Sequence, residues 1–137
     1  MKIELKRINK AVHFEALSDS DCVVHLDGAP AVGGENKGMR PMQLLLSSLG
    51  GCSSIDVISI LQKQKQEITD MSVTVEGERD PDRVPSVFKK IHMHFTLSGS
   101  LEGRKVERAI DLSLNKYCSV ARMIEGVVSI SASFEIR

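Results

Sequence analysis

Residues 41–66, PMQLLLSSLGGCSSIDVISILQKQKQ, form the most distinctive segment of this chain. Apolar side chains occupy nearly every side of this segment until its polar end, which predicts a long helix at the centre of the fold. Pro41 suits the first helical turn. Glycine in a helix interior costs roughly 1 kcal/mol relative to alanine, so the Gly50-Gly51 pair indicates that another backbone or a substrate comes close.

Alternating apolar and polar residues around this segment predict strands, and two further segments predict helices. Three short strands precede a glycine-rich loop over residues 28–40, a long hairpin follows the helix, and the last run is the clearest strand. The predicted order is βββ-α-ββ-αα-β. We therefore expect an α+β fold in which antiparallel sheets pack on two main helices, in a single domain over residues 1–137.

The composition excludes some kinds of partner. Eighteen Lys and Arg residues balance eighteen Asp and Glu residues, so neither nucleic acid nor an anionic membrane surface is an expected partner. The first residues alternate charged and apolar side chains, and we expect neither a signal sequence nor a membrane span there. A cytoplasmic location is therefore expected. The three cysteines are too few for a disulfide scaffold, which favours transient catalytic or sensory chemistry.

The central helix also predicts a homodimer. Its apolar surface exceeds what one sheet of a small domain can cover, and Ser47, Ser48, Gly50 and Gly51 would let a second such helix approach closely. Close helix packing within one subunit is the competing explanation.

The three cysteines lie in different settings. Cys118 falls near the start of a short predicted helix, where the helix dipole favours a thiolate, whereas Cys52 lies about three turns into its helix. Asp56, one turn further on the same face, would oppose ionisation of Cys52, so a cation must come from elsewhere. Arg40 at the end of the glycine-rich loop is a better candidate than Arg7, although either could act across a dimer interface. Cys22 is expected to be a buried core residue.

Three other patterns in the sequence do not predict a site. His92 and His94 share one face of a strand and could give two metal ligands, but a solvated pair is favoured because no third ligand lies nearby in the sequence. The serines of the central helix lack a Gly-x-Ser-x-Gly motif. Residues 33–38 lack the Lys-Ser/Thr of a phosphate-binding loop. No metal and no cofactor is expected.

Three motifs together resemble a known family. Residues 50–57, Gly-Gly-Cys-Ser-Ser-Ile-Asp-Val, follow Arg-Pro-Met-Gln-Leu at residues 40–44, and Lys-Tyr-Cys-Ser-Val occupies residues 116–120. This pattern resembles the OsmC/Ohr family of organic hydroperoxide reductases, and the match in element order extends over the whole chain. Each motif alone is loose, but the pair of cysteine motifs is fairly specific.

The resemblance implies a mechanism. Cys52 would be the peroxidatic thiolate that an organic hydroperoxide oxidises, and Cys118 the resolving thiol that forms a disulfide with it. Reduction by a dithiol, lipoyl or thioredoxin-like, would complete the cycle. The resemblance also implies an intertwined homodimer with two active sites at the subunit interface.

One departure from the family pattern leads to alternatives. The glutamate that fixes the activating arginine in well-studied members falls here on Met42, and Glu35 in the preceding loop is a possible substitute. This form of the motif is closer to a subgroup with poorly defined substrates. A redox-sensing or small-ligand-binding protein with little turnover is therefore a second hypothesis, and a purely structural dimer with inert thiols is a third.

Overall fold

The computed structural model describes all residues from 1 to 137, and the predicted element order is confirmed. The chain divides into two compact units, residues 1–45 and 46–137. The strands are β1 (Ile3–Arg7), β2 (Phe14–Ser18), β3 (Val23–Leu26), β4 (Glu67–Arg79), β5 (Phe88–Ser100) and β6 (Ser129–Ile136). The α-helices are α1 (Pro41–Lys63), α2 (Gly103–Leu112) and α3 (Ser119–Ile124), with a 3₁₀ turn at Pro30–Val32 and a π-helical turn at Ser113–Tyr117.

The first unit contains the predicted meander, in which β1, β2 and β3 pair antiparallel in that order. The loop after β3 returns alongside that strand, because Met39 N donates to His25 O and Asp27 N donates to Met39 O. The prediction that Cys22 is a core residue is wrong. Cys22 is exposed, since it lies in the turn that precedes β3, directly after Asp21 with its positive φ of 59°.

The second unit contains a three-stranded sheet in the order β4-β5-β6. Its inner face carries the predicted alternating residues of β5, all of them at most 1% exposed: Ile91, Met93, Phe95 and Leu97. The strands β4 and β5 form the expected antiparallel hairpin, but β6 pairs with β5 in parallel. The expectation of purely antiparallel sheets is wrong here, because the helical crossover between β5 and β6 brings the chain back in the same direction.

Helix α1 begins at Pro41, as predicted, but in the single chain only one side of it is buried. Leu49, Ser53, Val57 and Leu61 follow a four-residue spacing and are all inaccessible, whereas Ile55 is 71% exposed. Part of the helix is therefore uncovered in the single chain, in agreement with an apolar surface that one sheet cannot cover completely. By length and apolar composition alone, α1 passes a test for membrane-spanning helices that the core helices of soluble proteins also pass.

The two adjacent glycines of α1 have different surroundings. Gly50 is buried, and a Cβ built there would lie 2.9 Å from Cγ2 of Val75 in β4. Gly51 is exposed, and a Cβ built there would meet nothing within 4 Å. A close neighbour is thus present at Gly50 alone, and it is a valine side chain of the same chain rather than the expected backbone or substrate.

Candidate functional site

Two cysteines that are distant in the sequence meet in the second unit. Cys52 and Asp56 are one turn apart on α1, and Cys118 lies where the π-helical turn joins α3. The sulfur of Cys52, a carboxylate oxygen of Asp56 and the sulfur of Cys118 all lie within 4.8 Å of one another. Both thiols are free. Cys52 and Asp56 are half-buried and Cys118 is inaccessible, so the group has one open side.

The π-helical turn places Cys118. Helix α2 ends at Leu112, and the chain widens into the turn Ser113–Tyr117. Cys118 N donates to Ser113 O over 2.8 Å, which is the five-residue spacing of a π-helix. Cys118 then caps α3, where its sulfur accepts a hydrogen bond from Ala121 N at 3.4 Å. The wider turn fixes this sulfur beside α1.

Two buried serines connect Cys52, Asp56 and Cys118, and the sequence predicts a role beside the thiols for neither of them. Ser53 Oγ donates to Cys118 Sγ at 3.4 Å. Ser113 Oγ lies 3.2 Å from Asp56 Oδ2 and 3.4 Å from Ser53 O, so its single proton can reach either oxygen. Both serines are fully inaccessible. The available signal was position, because Ser53 follows Cys52 directly and Ser113 precedes Cys118 by one π-helical turn.

Burial raises the pKa of the Cys118 thiol, and the hydrogen bond with Cys52 adds to that rise. The hydrogen bonds from Ser53 and Ala121 act in the opposite direction, because donors to the sulfur favour its anion. The expectation that the helix dipole would favour the Cys118 thiolate is therefore wrong, because the pKa of this thiol is raised. Loss of hydration in the protein interior outweighs the favourable end of a six-residue helix.

Arg40, the third predicted site residue, lies in the first unit and is held by uncharged oxygens. Its Nη1 donates to Gly38 O at 3.3 Å and to Asp27 O at 3.4 Å, and its Nη2 donates to Asn36 Oδ1. Glu35, the proposed substitute for the family glutamate, pairs instead with Lys37 Nζ at 2.5 Å. An amide and two backbone carbonyls thus take the place of a carboxylate beside this guanidinium.

Asp27 organises the loop that holds Arg40. Its side chain is nearly inaccessible and accepts hydrogen bonds from Gly28 N, Glu35 N and Lys37 N at 2.8 to 3.0 Å. The hydrogen bond from the backbone of Lys37 is the main cause that lowers the pKa of this carboxyl below its ordinary value. The glycine-rich loop is therefore anchored on one buried carboxylate.

His92 and His94 lie on the outer face of the second sheet, as predicted, but neither is simply solvated. Both rings are half-buried and bond to serines of β6. His92 lies 2.8 Å from the hydroxyls of both Ser131 and Ser133, and His94 Nδ1 lies 2.8 Å from that of Ser133. These contacts join β5 to β6.

A cleft of about 600 Å³ lies between α2, α3 and β6. Ile110, Leu114, Ala121 and Phe134 are among its lining residues, but neither Cys52 nor Cys118 is. This cleft is therefore distinct from the thiol site, although Ala121 borders both.

The architecture defines an α+β protein with two three-stranded sheets and a half-open dithiol site. The OsmC family, described as OsmC-like protein, matches residues 34–133, and the chain belongs to it.

Two known proteins are similar to most of this chain. "Protein YhfA" of Escherichia coli (strain K12) is 45% identical over 102 residues, which cover 74% of this chain and 75% of that protein. The crystal structure of a hypothetical protein from Aquifex aeolicus VF5 is 31% identical, with a TM-score of 0.82 and coverage of 99% and 96% of the two chains.

A more distant structure shares the fold. An organic hydroperoxide resistance protein OsmC from Legionella pneumophila is 22% identical, with a TM-score of 0.72 over 98% of this chain and 97% of its own.

Proposed function

We propose that this protein is a thiol-dependent peroxidase that reduces organic hydroperoxides. The observation that carries the proposal is the proximity of the Cys52 and Cys118 sulfurs, which lie within 4.8 Å of each other and are both free. A disulfide needs sulfurs about 2.05 Å apart, so the two thiols can join after a modest side-chain movement. The name of the Legionella pneumophila relative, an organic hydroperoxide resistance protein, suggests the substrate class.

The difference in burial between the two cysteines supports the proposed roles. Cys52 is half-buried and accessible to an oxidant, whereas Cys118 is shielded. In the first step the Cys52 thiolate attacks the hydroperoxide, an S–O bond forms, the O–O bond breaks, and the departing alkoxide takes a proton to leave as the alcohol. In the second step Cys118 attacks the sulfenic sulfur, the S–S bond forms and water leaves. An external dithiol, lipoyl or thioredoxin-like, then returns two electrons and two protons.

Arg40 is proposed as the cation that favours the Cys52 thiolate, from the same chain or from a partner. Its guanidinium is hydrogen-bonded to uncharged oxygens and keeps its positive charge. Such a charge favours an anion nearby.

A homodimer is part of the proposal. Ser47, Ser48, Gly51 and Ile55 give α1 an exposed side opposite its buried one. Three of these residues are small and Ile55 is large and apolar, which suits close packing against the same helix of a second copy. The function also fits a cytoplasmic protein, since its free thiols and dithiol reductant belong to a reducing compartment.

A rapid-reaction experiment tests the peroxidase activity. Reduced protein mixed with cumene hydroperoxide in metal-free buffer is expected to form one Cys52–Cys118 disulfide per chain, identified by mass spectrometry, and to turn over when dihydrolipoamide is added. Cys52→Ser should abolish both reactions. Cys22→Ser is the matched control, because that exposed thiol lies outside the site. A disulfide that forms without sustained turnover would contradict the peroxidase.

That last outcome would favour the second candidate, a redox sensor or ligand-binding protein. The observation behind it is Met42, which occupies the position of the family glutamate and leaves Arg40 without a carboxylate partner. If neither Cys52 nor Cys118 reacted with an alkylating reagent in the native protein, both hypotheses would fail and inert thiols would be the better account.

A further inference from the structure

We propose that the reduced site binds one zinc ion through Cys52, Asp56 and Cys118. The proposal goes beyond the peroxidase chemistry, because metal binding needs neither hydroperoxide nor reductant turnover. It also replaces the expectation, drawn from the sequence, that the chain has no metal ligands.

The geometry of the three donor atoms carries the proposal. They lie within 4.8 Å of one another. Tetrahedral zinc holds sulfur at about 2.3 Å and carboxylate oxygen at about 2.0 to 2.2 Å, which places neighbouring ligand atoms somewhat under 4 Å apart. The ligand atoms therefore need to move together by no more than about 1 Å around an ion. Cys52 and Asp56, four residues apart on α1, already face the same side.

The surroundings also suit a metal site, because the ligand atoms of Cys118 and Asp56 each have a hydrogen-bond partner that orients them. Ser53 Oγ and Ala121 N both donate to Cys118 Sγ, and Ser113 Oγ lies 3.2 Å from Asp56 Oδ2. Hydrogen bonds of this kind hold metal-binding thiolates and carboxylates in place and support the affinity of many metal sites.

The donor set selects the kind of metal. Two thiolates and one carboxylate are too soft for Mg²⁺ or Ca²⁺, which prefer all-oxygen sites, and they suit Zn²⁺. Cys52 and Asp56 are half-buried, so the group has an open side where water or another small molecule can take the fourth position. Zinc with three protein ligands and one exchangeable position is the arrangement found in catalytic rather than structural sites.

Zinc and disulfide formation exclude each other at this site. An ion held by both sulfurs blocks alkylation of Cys52, and a Cys52–Cys118 disulfide removes two of the three ligands. The free thiol pair is therefore the only form that binds the ion.

Zinc titration of the reduced full chain, with a competing chromophoric chelator, tests the proposal. One ion per chain is expected for the wild type and for Cys22→Ser. Asp56→Asn, which keeps an oxygen acceptor for Ser113, should weaken binding at least about tenfold, since even loss of an outer partner costs 10- to 100-fold. Cys52→Ser and the oxidised wild type should lose the stoichiometric site.

Cobalt gives a second measurement. The Co²⁺ form of the wild type is expected to show the absorption of tetrahedral thiolate coordination, and bound Zn²⁺ should protect Cys52 from alkylation. Equal zinc affinity in Asp56→Asn and the wild type would overturn the site, as would binding that survives in Cys52→Ser. The peroxide assay is run without metal, so a failure of zinc binding would not contradict the proposed function. In the same way, a failure of the peroxide assay would not contradict zinc binding.

Discussion

Replacing Gly50 with alanine is expected to lower the free energy of unfolding, although alanine favours a helix. The new Cβ would lie 2.9 Å from Val75 Cγ2, closer than carbon atoms pack. Valine is stiff about its first side-chain torsion, and Val75 is held in register opposite Met93 in the sheet. The contact therefore cannot be relieved by a simple rotation.

The net magnitude follows from two opposing effects. Overpacking in a core costs about 1 to 3 kcal/mol, whereas the change from glycine to alanine in a helix interior gains about 1 kcal/mol. With overpacking near the middle of its range, Gly50→Ala should lower the free energy of unfolding by about 1 kcal/mol. Urea denaturation followed by circular dichroism measures this difference.

A double mutant tests the cause. Val75→Ala removes the clashing methyl groups, so Gly50→Ala in that background should be neutral or stabilising, with a coupling energy of about 1 to 2 kcal/mol between the two sites. Gly50→Ala that is stabilising in the wild-type background would refute the reasoning. An absence of coupling to Val75 would refute it equally.

Three further predictions concern the thiol site and the loop. Ser53→Ala removes a donor to the Cys118 sulfur and should slow disulfide formation about tenfold at neutral pH. Ser54→Ala is the control, because the Ser54 hydroxyl donates to a helix carbonyl, and it should leave the rate unchanged. Equal rates for the two variants in stopped-flow measurements would contradict the prediction. Because the pKa of Cys118 is raised in the folded state, its stabilising contribution is present below the ordinary value of 9.0 and lost as the pH rises through the raised pKa. Between neutral pH and about pH 10, the free energy of unfolding should thus fall more in the wild-type protein than in Cys118→Ser, as urea unfolding measures. Equal decreases in the two proteins would contradict the prediction. The pKa of Asp27 is lowered, so its contribution to stability is present above the ordinary carboxyl pKa and lost as the pH falls through the lowered value. Asp27→Asn should therefore lower the thermal midpoint at neutral pH and expose the loop around Arg40 to proteolysis. The difference in midpoint between variant and wild type should shrink in acid.

The secondary structure followed from sequence pattern because it depends on local physics. The alternating residues of β5, the apolar run of α1 and the proline at its start each specify their own element through near neighbours. The prediction that Cys22 is buried is wrong because alternation shows which residues share a face and not whether that face is covered. Cys22 and Val24 alternate as expected, and both are exposed.

The direction of β6 relative to β5 cannot be predicted from a local sequence pattern. An isolated strand pattern has no direction relative to its neighbours, and the parallel pairing with β5 depends on the helical crossover that returns the chain. The uncovered side of α1 is a similar case. Its apolar character was evident in the sequence, but which residues remain exposed depends on how the sheet packs against it.

From the order of residues alone came the α+β element order, the family resemblance and the two cysteines of interest, since these rest on periodicity and short motifs. Tertiary packing alone brought Asp56 and the two sulfurs within 4.8 Å of one another and supplied Ser53 and Ser113 as their partners. It also reversed the expected acidity of Cys118, because the loss of hydration around a buried thiol depends on everything packed against it and not on its neighbours along the chain.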